Sequence, residues 1–174
     1  MKKWKSKKGF TLVEMLVCVL TLLLVGAICS TATGISVKSY QKSRFETDSQ
    51  MLEATLDLIF SDMFRYATYV TLDGDNVTAF KNSNYDNGNN DMKIMIPAEG
   101  EAHANKFVIQ MGANASVLLI GENIYVDTLE VSDFELKYDQ VKKIFRGNYI
   151  IRSAVNGATK NCSFVYRGIN TQLN

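Results

Sequence analysis

At 174 residues the chain is long enough for one globular domain beside an anchor segment, and its three cysteines show no metal-type spacing and leave only Cys162, with no disulfide partner, beyond the N-terminal apolar run and its edge. Nineteen basic against eighteen acidic side chains, net +1, exclude the overall positive charge that marks a nucleic-acid-binding domain, although a local patch stays open. Five of the lysines lie in the first eight residues, so residues 10–174 alone hold 14 basic and 18 acidic groups, about −4.

Lys2, Lys3, Lys5, Lys7 and Lys8 precede an apolar run, Phe10 to Ile28, of 19 residues. As a helix it is about 28 Å long, which matches a hydrocarbon core of about 30 Å. The lysines before it orient that end toward the cytoplasm. Glu14 is the one charge in the run. A carboxylate there costs about 2.5–3.5 kcal/mol on insertion scales and marks a functional group by default. A second reading places Glu14 near the interface, one turn from the end of the run, partly solvated and favoured by the positive end of the helix dipole. The residue alone leaves both open.

The eight residues Lys7-Lys8-Gly9-Phe10-Thr11-Leu12-Val13-Glu14, followed by the apolar run, resemble the leader of the type IV pilin superfamily. The resemblance covers about the first 25–30 residues. It implies cleavage after Gly9 by prepilin peptidase, N-methylation of the new terminal Phe10, and an assembly role for Glu14, the fifth residue of the mature chain. The rival is an ordinary export signal cut near Ser30-Thr31-Ala32, for which the apolar region is long. A lipoprotein signal fits poorly, because Val17 precedes Cys18 and Ile28 precedes Cys29. Along a helix those two cysteines stand about 16 Å apart, so no disulfide joins them.

No proline occurs between Phe10 and Pro97, and Gly26 and Gly34 are the only weak points before Gly74. Residues 36–50 are polar with isolated aromatics and read as an exposed stretch. Leu52, Leu56, Ile59, Met63, Tyr66 and Val70 then recur at 4-3-4-3-4 spacing, one helix face, widened by Phe60, Phe64 and Ala67. Asp62 and Arg65 are spaced to pair. These patterns predict one helix from about Phe10 to about Tyr69, about 90 Å long, whose apolar stripe needs a sheet or other helices to cover it.

After Tyr69 the period changes to that of strands and turns. The predicted strands are Tyr69–Leu72, Val77–Lys81, Met92–Ile96, Lys106–Met111, Ser116–Ile120, Asn123–Val126, Phe134–Tyr138, Lys142–Arg146, Tyr149–Val155 and Cys162–Arg167. Asp73-Gly74-Asp75-Asn76 and Arg146-Gly147-Asn148 read as hairpin turns. The alternation Phe134-Glu135-Leu136-Lys137-Tyr138 predicts one wet face. Ten strands are too many for one sheet on one helix, so some are expected to be edge hairpins or no strand at all.

Several side chains invite chemistry. Asp86, Asn87, Asn89 and Asp91 could offer oxygens to Ca²⁺, but their spacing matches no calcium loop, and the whole segment Asn82–Asp91 reads as an exposed loop. His103 lies near Pro97 and Gly100 with no partner for catalysis. Cys162 opens an apolar run and reads as a buried structural thiol. Lys142, Lys143, Arg146, Arg152, Lys160 and Arg167, with Tyr149 and Tyr166, make the C-terminal part locally basic. They fit a DNA-binding face led by Lys142, Lys143 and Arg146, or edge hairpins protected by cations.

The expected fold is α+β: a long N-terminal helix, membrane-spanning in its first half, packed at its C-terminal part on an antiparallel sheet, as in type IV pilins. The expected division is a cleaved leader (1–9), a transmembrane half-helix (10–30), an extracytoplasmic half-helix (31–70) and a β-rich head (71–174). Leu56-x-x-Ile-Phe-Ser-Asp-Met-Phe-Arg-Tyr-Ala resembles, loosely, the Asp-Leu-Arg-x-Ala helix end of J-type minor pseudopilins, with Met63-Phe64 in place of one Leu. The resemblance implies a minor subunit of a pilus or secretion filament. Its partners would be prepilin peptidase, other subunits, the membrane and an assembly platform, with DNA as a further candidate. No cofactor and no enzymatic activity are expected.

Overall fold

The computed structural model describes residues 11–85, 90–126, 129–169 and 171–173. The order of elements is α1 (Leu12–Arg65), β1 (Ala67–Asp73), β2 (Asn76–Asn82), β3 (Met92–Met95), β4 (Val108–Met111), β5 (Val117–Leu118), a 3-10 turn (Glu122–Ile124), β6 (Leu129–Asp139), β7 (Ile144–Ser153), β8 (Thr159–Arg167) and β9 (Gln172–Leu173). The chain divides into two units between Ser43 and Arg44.

In the first unit every described residue is exposed. Its helix holds an 18-residue window of mean hydropathy 2.7, none of it buried, so by length and composition it can cross a membrane. Several of its hydroxyls bond within the helix. Thr21 donates to the carbonyls of Val17 and Cys18 (3.0 and 2.9 Å), Thr31 to Ile28 (2.9 Å) and Ser36 to Ala32 (2.9 Å). Apolar surroundings therefore meet no unpaired donor at these positions.

In the second unit α1 buries Ser49, Leu52, Leu56, Phe60, Met63 and Phe64. The predicted stripe is thus shifted: Phe60 and Phe64 stand at its centre, Ile59 is half-buried and Tyr66 is exposed. Phe60 meets Phe107 (5.3 Å, edge-on), Phe164 (4.9 Å), Phe134, Tyr149 and Phe64. Phe64 stacks on Phe145 (5.1 Å) and Phe164 (5.5 Å). Full burial of each such ring contributes about 1.5–3 kcal/mol, and aromatic pairing adds to it.

All nine strands join one sheet, ordered β5-β4-β3-β2-β6-β7-β8, with β1 paired to β2 and β9 parallel to β1. Of the ten predicted strands one is no strand and two are a single strand, as the expectation that some were mistaken allowed, yet all the strands that do form share one sheet. The core is larger than one helix face supplies, because Phe107, Ile120 and Tyr125, outside both α1 and the strands, are buried with it. The Tyr125 hydroxyl accepts the Phe107 amide at 2.8 Å, which locks this extra cover in place.

Five local expectations also change. The helix stops at Arg65, four residues before Tyr69, and Ala67–Asp73 is strand. Its end is capped from a distance: Asn82 Nδ2 donates to Met63 O (2.8 Å) and the Ile169 amide to Arg65 O (3.0 Å). These contacts satisfy carbonyls that a helix end leaves without partners. Asn82 is consequently buried and closes β2, so the segment Asn82–Asp91, expected to be an exposed loop, begins inside the fold, while Ser83, Asn84 and Asp91 are exposed. The Asp62 carboxylate accepts the Tyr85 hydroxyl at 3.1 Å, where the spacing suggested Arg65. Asn123–Val126 is a 3-10 turn and its exit, with Tyr125 turned into the core.

The fifth change is at Gly147. The predicted strands Lys142–Arg146 and Tyr149–Val155 are one strand, β7, and Arg146-Gly147-Asn148 is no turn. Gly147 sits opposite Leu136 on β6 and Phe164 on β8. A Cβ there would lie 2.2 Å from the Phe164 ring. Glycine marks a close approach in a strand interior. Gly147→Val should cost about 1–3 kcal/mol or more, since Phe164 is wedged against Phe60 and Phe64 and has no room to retreat. An unchanged urea midpoint would contradict this.

Other expectations stand. Asp73↔Asn76 pair across a Gly74–Asp75 loop, with Gly74 at φ 63°. On β6, Leu136 and Tyr138 are buried while Glu135 and Lys137 are exposed. A bulge between Ser132 and Glu135, with Asp133 at φ 53°, precedes them, and Phe134 within it packs on Phe107 (5.0 Å).

Burial pushes the Cys162 thiol up to about 11, and nearby Glu53 adds to the shift. Burial likewise raises the Tyr125, Tyr149 and Tyr166 hydroxyls, Tyr166 further through its hydrogen bond to Asp57. These groups stay protonated in the folded chain over a range where the unfolded chain has lost its protons. The unfolded state then binds fewer protons, so stability falls as pH rises above about 9, where free thiols and then phenols ionise. Urea midpoints should decline between about pH 8 and about pH 10.5, whereas a flat profile would refute this.

Candidate functional site

The opening of α1 is built by three hydrogen bonds. The Thr11 amide and the Thr11 hydroxyl both donate to Glu14 Oε2, at 2.8 and 2.9 Å. The Glu14 amide in turn reaches Thr11 Oγ1 at 3.3 Å. This reciprocal arrangement is a capping box, in which Thr and a Glu three residues on satisfy donors at the helix start. Glu14 therefore has a structural task at the N-terminus of α1. Its Oε1 receives no hydrogen bond among those described.

From Met15 to Val37 no residue is charged, 23 in succession. Leu12, Leu16, Leu20, Leu22, Leu23 and Ile28 are each more than half exposed. The site is thus an apolar rod headed by one carboxylate. Gly9 and Phe10 lie outside the described residues. Thr11 was not singled out from the sequence, although Thr-x-x-Glu before an apolar run is the signature of such a cap.

The other candidates do not gather into a site. Asp86 lies outside the described residues. Asp91 is exposed and stands 3.7 Å from the Lys81 ammonium. No group of three or more His, Cys, Asp or Glu side chains could hold a metal among the described residues. His103 is exposed in a turn at φ 60°. Cys162 is 4% exposed and unbridged, among the core side chains.

The basic residues separate. Lys142 and Lys143 sit in the β6–β7 turn, where the Asp139 carboxylate accepts the amides of Val141 (3.1 Å) and Lys142 (3.0 Å). Those bonds, with Lys142 and Arg146 nearby, hold the Asp139 carboxyl below its usual range. Arg146 is exposed on the outer face of β7, opposite Lys137 and Val165. Arg152 lies at the far end of β7 opposite Glu130. Lys160 faces the helix and binds Glu53 at 2.5 Å. Tyr149 and Tyr166 are buried in the core and offer no stacking platform. Comparison with family models, with curated proteins and with solved structures finds no match to this chain.

Proposed function

We propose that this chain is a structural subunit of a type IV pilus or a type II secretion-like filament. The observation that carries the reading is the exposed, uncharged helix of residues 15–37, headed by the Thr11–Glu14 cap and standing directly behind Lys-Lys-Gly-Phe. An α+β head with a long apolar N-terminal helix is the layout such a subunit needs.

In this reading residues 1–9 are the leader, removed by prepilin peptidase, and Phe10 becomes the methylated terminus. Before assembly the subunit is held in the membrane by residues 10–30, with its N-terminus cytoplasmic and its head on the other side. During assembly the apolar helices leave lipid and pack on one another. The terminal amine of Phe10 and the carboxylate of Glu14 then enter an apolar bundle, where an unpaired charge is costly. Both cap bonds to the carboxylate use Oε2, so Oε1 can accept the amine of a neighbouring subunit while the helix start stays intact. A charge-assisted bond of this kind sets the axial register between subunits. The role of a minor subunit rests on the loose likeness of residues 56–67 to the J-type helix end.

Mass spectrometry of the mature chain, made together with a prepilin peptidase, tests the reading. N-methyl-Phe10 is the expected terminus. A terminus at Thr33 would instead identify an ordinary export signal and overturn it.

A further inference from the structure

Where α1 ends, three cations share one cavity. Arg65, Lys143 and Arg167 line it together with Val165, Tyr166 and Ile169, around a volume of about 570 Å³. Backbone bonds hold the three in place: the Gly168 amide donates to Lys143 O (2.9 Å), the Ile169 amide to Arg65 O (3.0 Å), and Arg167 pairs with Ile144 at the start of β7. No acidic side chain lines the cavity, and no ion pair engages any of the three cations among the described residues. Val165 and Ile169 are 62% and 59% exposed beside them.

The cavity lies at the end of a free edge. Among the described residues β8 is the last strand of the sheet and pairs only with β7, over nine residues without a bulge or a proline. Such an edge offers a row of unpaired amides and carbonyls to an added strand. Its side chains at the cavity end combine cations with apolar surface.

We propose that this cavity and the β8 edge bind an acidic, extended segment of another protein. The segment adds to β8 as an antiparallel or parallel strand. Its carboxylates meet Arg65, Lys143 and Arg167, and an apolar side chain covers Val165 and Ile169. Charge complementarity selects the acidic partner, and the two guanidinium groups suit bidentate carboxylate recognition. Nucleic acid fits less well. The one aromatic side chain lining the cavity, Tyr166, is 7% exposed and gives its hydroxyl to Asp57, so the lining itself offers no ring for base stacking.

The test uses the full chain in detergent, with a synthetic peptide alternating Glu and Val and, as a second probe, oligothymidylate. The peptide should bind, weaken with added salt, and protect β8 amides from hydrogen exchange. Lys143→Glu and Arg167→Glu should each weaken it by about tenfold or more, as loss of a hydrogen bond to a charged group does. Lys93→Glu, at an exposed position of β3, should leave it unchanged. Three results would each overturn the proposal: binding of oligothymidylate without the peptide, peptide binding indifferent to both reversals, or binding that leaves β8 unprotected.

Discussion

Phe60→Ala should destabilise the head by about 3–5 kcal/mol, the range for removing a buried aromatic ring. Phe60 has no exposed surface and, among the described residues, is the one side chain that touches rings from α1, from the β6 bulge, from β7, from β8 and from the loop before β4. Its neighbours are held in turn by contacts of their own. Phe107 is edge-on to both Phe134 and Tyr149, and Phe164 stacks on Phe64. They cannot collapse into the vacated space without breaking those pairs, so most of the cavity would remain. The check is a urea titration of the full chain in detergent followed by circular dichroism. Leu58→Ala, two residues away on the same helix but 73% exposed, should change stability by no more than about 0.5 kcal/mol. Equal midpoints for the two variants would refute the central place of Phe60.

Glu14→Gln should be cleaved and inserted like the parent chain yet fail to enter filaments, and Glu14→Ala should do the same. The two substitutions separate the tasks of the residue. Gln also serves at the third position of a capping box, so Glu14→Gln keeps the Thr11 cap and removes only the charge. Glu14→Ala removes both. Thr11→Ala should loosen the helix start by about 1 kcal/mol and still assemble. Filament incorporation, read by shearing and immunoblot beside a cleavage assay, distinguishes these outcomes. If Glu14→Gln assembles normally, the carboxylate acts only as a cap and the pairing with a neighbouring amine is wrong.

Much of this chain is set by short-range pattern. The uncharged run behind the lysines, the apolar periodicity of residues 52–64, the Asp73–Asn76 hairpin and the alternation along β6 all follow from side chains a few residues apart. Each could therefore be read before the fold was known. The capping box belongs with them, since Thr11 and Glu14 are three residues apart.

Other features depend on residues that are distant in sequence. No local signal stops α1 at Arg65. Asn82 and Ile169 supply the partners for its last carbonyls, and Tyr66 to Val70 can then leave the helix although their spacing continues it. Gly147 looks like a turn until Phe164 occupies the space of its missing side chain. Asp62 finds Tyr85 rather than Arg65. The separation of Lys160 from the other cations, and the gathering of Arg65 with Lys143 and Arg167, arise only when β7 and β8 are paired and the C-terminal segment folds back on α1. The sequence by itself determined the apolar helix, its charged head and most strands, because those are properties of neighbouring side chains. The tertiary structure alone decided where the helix ends, which glycine is a turn and which cations meet, because those depend on contacts between residues about 20 to more than 100 positions apart, as Asn82 to Met63 and Ile169 to Arg65 show.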